Sequence, residues 1–113
     1  DLTAELPAPR GPWCYTGLPW LDLLPPTTAQ LEQAAARLEA LQAQGGPVLV
    51  CCALGYSRSA SAVAAWLLLS GRSTSIEAAE AMLRRARPGI VLGPAHRRAL
   101  ADLPAPLETR GGA

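Results

Sequence analysis

The chain has 113 residues, 50% of them apolar, and a formal net charge of +1. That size and hydrophobicity fit one compact domain with a single core and exclude a disordered tail. The near-balance of charge excludes a general electrostatic pull toward nucleic acid or anionic membrane, so any anion must be recognised at a local site.

In chain order, Asp1 to Glu5 reads as a strand remnant with no initiator methionine before it, so we expect a fragment of a longer protein. The Pro- and Gly-rich "LPAPRGPW" that follows is a loop. "CYTGLPW" then reads as a short strand or extended segment running into "LDLLPP", where the proline pair forces extended, loop-like backbone around Asp22. From Thr27 the period changes. Leu31, Ala34, Ala35, Leu38 and Leu41 fall at helical spacing, with Thr27 or Thr28 as N-cap and Gly45-Gly46 as the stop. "VLVCC", Val48 to Cys52, has the continuous apolar pattern of a strand buried on both faces. After the loop "ALGYSR" comes an apolar helix, "SASAVAAWLLLS", closed by Gly71. Its run "AVAAWLLL" is too short to span a bilayer and its Trp66 should face the core. "STSIEAAEAMLRRARP" is a further helix with Thr74 and Glu77 at capping-box spacing and Pro88 beyond its end. A last short helix covers "PAHRRALADL", with His96 at the surface, and "PAPLETRGGA" is a frayed tail. Strands alternating with helices predict an α/β fold, a mostly parallel sheet with helices on its faces. The domain should run over residues 1–103, with 104–113 as its tail.

Three cysteines, two of them adjacent, form no disulfide framework, which favours a reducing, cytoplasmic setting. In a parallel sheet ligands bind at the carboxyl ends of the strands, which is where Cys52 falls. The residues after it, Ala53, Leu54, Gly55, Tyr56, Ser57 and Arg58, form a tight loop. Its backbone N–H groups converge with the next helix N-terminus to favour an anion. All ten basic residues are arginine, so such a site must use guanidinium and backbone donors. A thiol in that ring has its ionised form favoured, and pocket thiols of this type can fall to a pKa of about 3.5–7.5. The same ring holds a phosphate, with Arg58 gripping two of its oxygens. The chemistry this suits is attack of Cys52 on phosphorus to give a cysteinyl-phosphate. No metal or other cofactor is required for it. Asp22 is the candidate acid for a poor leaving group. Ser59 can donate to Cys52 as the thiolate leaves. The adjacent cysteines lack the Cys-x2-Cys spacing of a zinc site.

These motifs resemble the Cys-based protein tyrosine phosphatases, in particular the dual-specificity branch. "CALGYSRS" matches that family's Cys-x5-Arg-Ser loop, Asp22 matches its general acid, and "AEAMLRRARPGIVLGPAHRRAL" resembles its C-terminal helices. The likeness runs from about Tyr15 to Leu100 and implies a phosphotyrosine-phosphatase-like fold. "WLDLLPPT" followed by "CALGYSRS" is also similar to a bacterial group in which this domain is fused to a membrane phosphatidic-acid-phosphatase-type domain, which would tether it to a membrane. The family ordinarily has histidine before the nucleophile, where this chain has Cys51. That departure implies a less rigid loop.

The implied activity is a metal-independent phosphomonoester hydrolase acting on phosphorylated proteins or other phosphate monoesters, with no nucleic-acid partner. A phospholipid phosphatase with the same mechanism is the main alternative, and a non-catalytic phosphoprotein-binding module stands behind it. A rhodanese-type sulfurtransferase is disfavoured by the Gly-x-x-Arg-Ser continuation. Cys51 should pack on the face opposite the pocket, with Cys14 or Cys51 as alternative redox partners of Cys52. Arg84 to Arg87, "RRAR", reads as a solvated helix face, with an anionic surface as the alternative.

Overall fold

The computed structural model describes Leu2, residues 25–45, Val48, Val50, residues 58–90 and residues 92–104. Within these residues the chain forms four helices in the order α1 (Thr28–Ala43), α2 (Arg58–Leu69), α3 (Ile76–Ala86) and α4 (Pro94–Ala101). The described residues contain no strand. The expected strands at Asp1 to Glu5, at Cys14 to Trp20 and at Val48 to Cys52 lie largely outside them, as does the tail after Pro104.

Each helix starts and stops for a local reason. Thr27, in extended backbone, accepts through its hydroxyl from the Gln30 N–H at 3.1 Å, while the Gln30 side chain accepts from the Thr27 N–H at 2.8 Å. This reciprocal capping box satisfies two donors that the first turn leaves unpaired. α1 ends at Gly45, whose φ of +83° is a left-handed conformation that glycine adopts without strain. Gly71, with φ +79°, closes α2 in the same way. α3 is capped by Ser75, whose hydroxyl accepts from the Ala78 N–H at 3.0 Å. The expected capping box of Thr74 with Glu77 is therefore corrected by one residue. Ser73 supplies the reason. It is buried, its N–H donates to the Leu67 carbonyl and its hydroxyl to the Ser75 carbonyl, which fixes the turn so that Ser75 meets the helix. α4 stops at Ala101, two residues short of the expected end, with Asp102 as C-cap.

α2 is the central helix and packs against each of the other three. Its buried face is made of alanines, Ala62, Ala64 and Ala65, with Leu67. These meet Leu31, Ala34 and Ala35 of α1, Ala79 of α3, Leu100 of α4 and Leu2 in one core. Small side chains let the helix backbones approach closely, so the core gains contact area from backbone as well as side-chain atoms. A second cluster of Ala60, Ile90 and Leu92, flanked by Leu83, seats the segment after α3 against the first turns of α2. The hydroxyl of Thr28 donates to the Ala99 carbonyl at 2.8 Å and joins the start of α1 to α4.

Trp66 departs from its expected core position. The ring packs on the core edge, but its Nε1–H donates to Glu39 Oε2 at 2.7 Å, and the Arg72 guanidinium lies 4.4 Å from the ring centroid. An indole has an apolar body and a polar edge, and here the edge is turned toward the surface. His96 is half-buried where a surface position was expected. Arg84, Arg85 and Arg87 are exposed, as a solvated face requires, and Arg84 pairs with Glu80 one turn earlier at 3.6 Å.

Candidate active site

Two of the predicted site residues, Arg58 and Ser59, are the first two residues of α2, and both side chains are buried. The helix begins there because an alanine- and leucine-rich sequence with high helical propensity follows directly. The Ser61 hydroxyl donates to the Arg58 carbonyl at 3.0 Å within this first turn. A helix N-terminus presents unpaired N–H groups and the positive end of the helix dipole, so it favours an anion.

Arg58 is the only arginine among the described residues that is buried, with 5% of its surface exposed. Guanidinium groups are costly to remove from water unless they are paired. One of its partners is the Leu2 carbonyl, which accepts from Nη1 at 3.5 Å. Leu2 is itself held in the main core through its side chain. A backbone acceptor from the start of the chain thus reaches the arginine at the start of α2. The cluster of Ala60, Ile90 and Leu92 supports the same end of the helix.

Cys52, the loop residues Ala53, Leu54, Gly55, Tyr56 and Ser57, and the acid Asp22 lie outside the described residues, as do Cys14, Trp20 and Cys51. Among the described residues no group of three or more His, Cys, Asp or Glu side chains is arranged to hold a metal ion. His96 sits in the first turn of α4, and partial burial there lowers its pKa below the ordinary 6.5 by desolvating the imidazolium. Nothing in the sequence signals the Leu2 contact with Arg58, because it joins residues 56 positions apart through a backbone atom.

The model of the dual specificity phosphatase catalytic domain matches residues 15–104. The chain belongs to the dual specificity phosphatase family. The family carries a phosphotyrosine-phosphatase-like fold and phosphatase activity, and the match covers all four helices with both Arg58 and Ser59. Comparisons with curated proteins and with solved structures give no match. Among the described residues no helix is long and apolar enough to cross a membrane.

Proposed function

We propose that this dual specificity phosphatase domain hydrolyses phosphate monoesters through a cysteinyl-phosphate. Cys52 is the nucleophile, Arg58 the phosphate clamp, Asp22 the acid and then the base, and Ser59 the donor to the departing thiolate. The observation that carries this assignment is the buried Arg58 at the N-terminal end of α2, six residues after Cys52, within the region matched to the family.

In the first step the Cys52 thiolate forms a bond to phosphorus as the bond to the leaving oxygen breaks, and Asp22 protonates that oxygen. In the second, water attacks phosphorus with Asp22 taking its proton, and Cys52 leaves as a thiolate stabilised by the Ser59 hydroxyl. Arg58 and the loop N–H groups from Ala53 to Ser57 meet the charge on the equatorial oxygens in both steps. Burial raises the worth of a guanidinium to a phosphate, because the local dielectric is lower than that of water. The segment "ALGYS" carries no basic residue, which favours a phosphotyrosyl or other monophosphate substrate over a polyphosphorylated one.

The test is hydrolysis of an aryl phosphate across pH, without added metal, by wild type, Cys52→Ser, Arg58→Ala and Asp22→Asn. Cys52→Ser should be inactive, and Arg58→Ala should lose about 10²–10³ in kcat/KM, as removal of a transition-state donor does. Substantial turnover by Cys52→Ser would overturn the mechanism. Undiminished turnover of an alkyl phosphate by Asp22→Asn would overturn the acid assignment alone.

A further inference from the structure

A groove of about 610 Å³ lies at the opposite end of α2 from Arg58, between α1 and the turn that leads to α3. Trp66 on its wall follows Arg58 by eight positions, about 12 Å along the axis at the helical rise. The volume is in the range of sites that accept a ligand or a peptide side-chain cluster. Its floor is apolar, from Ala35, Ala36, Trp66, Leu69 and Pro104, and its charged groups are Glu32, Glu39 and Arg72.

The groove's charge is negative, two carboxylates against one guanidinium. The C-terminal end of α2 adds the negative pole of its dipole. One cation is already built in. Arg72 stacks on the Trp66 ring at 4.4 Å while its Nη1 donates to Glu39 Oε2 at 3.5 Å. That same oxygen accepts from Trp66, so both of these contacts of Glu39 are made through Oε2. Glu32 has no ion-pair or hydrogen-bond partner among the described residues, and its carboxylate is exposed.

Glu32 and Glu39 are seven residues apart on α1, which places them on one face about 10 Å from each other. Between them lie Ala35 and Ala36, too short to block the track. A segment in the polyproline II conformation has three residues per turn and advances about 3.1 Å per residue, so side chains three residues apart share one face about 9 Å from each other, close to that separation. We propose that this groove is a docking site for a basic segment of a partner protein in the polyproline II conformation, with two arginines or lysines spaced i, i+3 that pair with Glu32 and Glu39. It rests on the α1 and α2 surfaces and needs no assumption about phosphatase chemistry, so it stands or falls separately from the proposed function.

The experiment titrates the full chain with an unphosphorylated peptide carrying Arg-Ala-Ala-Arg and follows the Trp66 indole N–H resonance, assigned with Trp66→Phe. A control peptide carries Glu-Ala-Ala-Glu, and the double variant Glu32→Gln/Glu39→Gln is titrated in parallel after its thermal unfolding has been compared with wild type. The expected result is a saturable shift with the basic peptide, none with the acidic one, and at least tenfold weaker affinity in the double variant. Absence of a saturable shift, an equal response to the acidic peptide, or unchanged affinity in a folded double variant would each overturn the proposal. The peptide-charge comparison decides the matter on wild type alone, should the double variant fail to fold.

Discussion

A buried arginine and a half-buried histidine show how single side chains set the behaviour of the domain. If Arg58 is the phosphate clamp proposed above, Arg58→Lys, which keeps the charge but loses the planar fork, should not rescue the loss expected of Arg58→Ala. The assay is the same aryl phosphate hydrolysis, and wild-type kcat/KM in Arg58→Lys would show that charge alone suffices. His96 adds a pH dependence to stability instead. Its folded pKa is lowered by burial, so between that value and 6.5 the unfolded chain binds a proton that the folded chain does not. Stability should therefore fall as pH drops below 6.5, level off below the folded pKa, and show no contribution from this group at higher pH. Thermal unfolding of wild type and His96→Gln at pH 7.5, 6.5 and 5.5 tests the sign. The variant should lose less on acidification, and an equal or larger loss in the variant would contradict it.

At the scale of the helix, capping is where local chemistry and tertiary structure meet. Ser75→Ala should cost about 1 kcal/mol, the usual worth of a hydroxyl cap, whereas Thr74→Ala should cost close to nothing. Denaturant unfolding of the two variants separates them, and the reverse order would restore Thr74 as the cap. Thr74 was the expected cap because a glutamate stands three residues on, whereas its neighbour Ser75 has none. What chose between them is Ser73, whose burial and bonds to Leu67 and Ser75 are set by packing against α2. By contrast, the start of α1 was legible because its capping box uses only Thr27 and Gln30. The ends of α1 and α2 were legible because Gly45 and Gly71 take backbone conformations that few other residues accept. A helix start near Ser59 was legible because a high-propensity sequence follows, whereas Arg58, expected in the loop before it, is the first residue of α2. The Trp66 surroundings were not, because Glu39 and Arg72 reach it from positions 27 residues before and six after, and periodicity carries no such information.

Across the whole molecule, stability and the site depend on one helix being held at close range by three others. Ala64 and Ala65 have no exposed surface at all and lie in the main core. Ala64→Leu adds three carbons at a fully buried core position and should destabilise by about 1–3 kcal/mol through overpacking. Ala40→Leu, an exposed position on α1, should stay within about 0.5 kcal/mol of wild type. The site should feel the difference as well. To admit the larger side chain α2 must shift in its packing, which should move Arg58, at its first turn, relative to the Leu2 carbonyl that it contacts. Ala64→Leu should therefore lower kcat/KM for an aryl phosphate even at temperatures well below its unfolding transition, while Ala40→Leu leaves it unchanged. If Ala64→Leu lost stability but kept full kcat/KM while folded, the start of α2 would be positioned by its own loop and not by the core behind it.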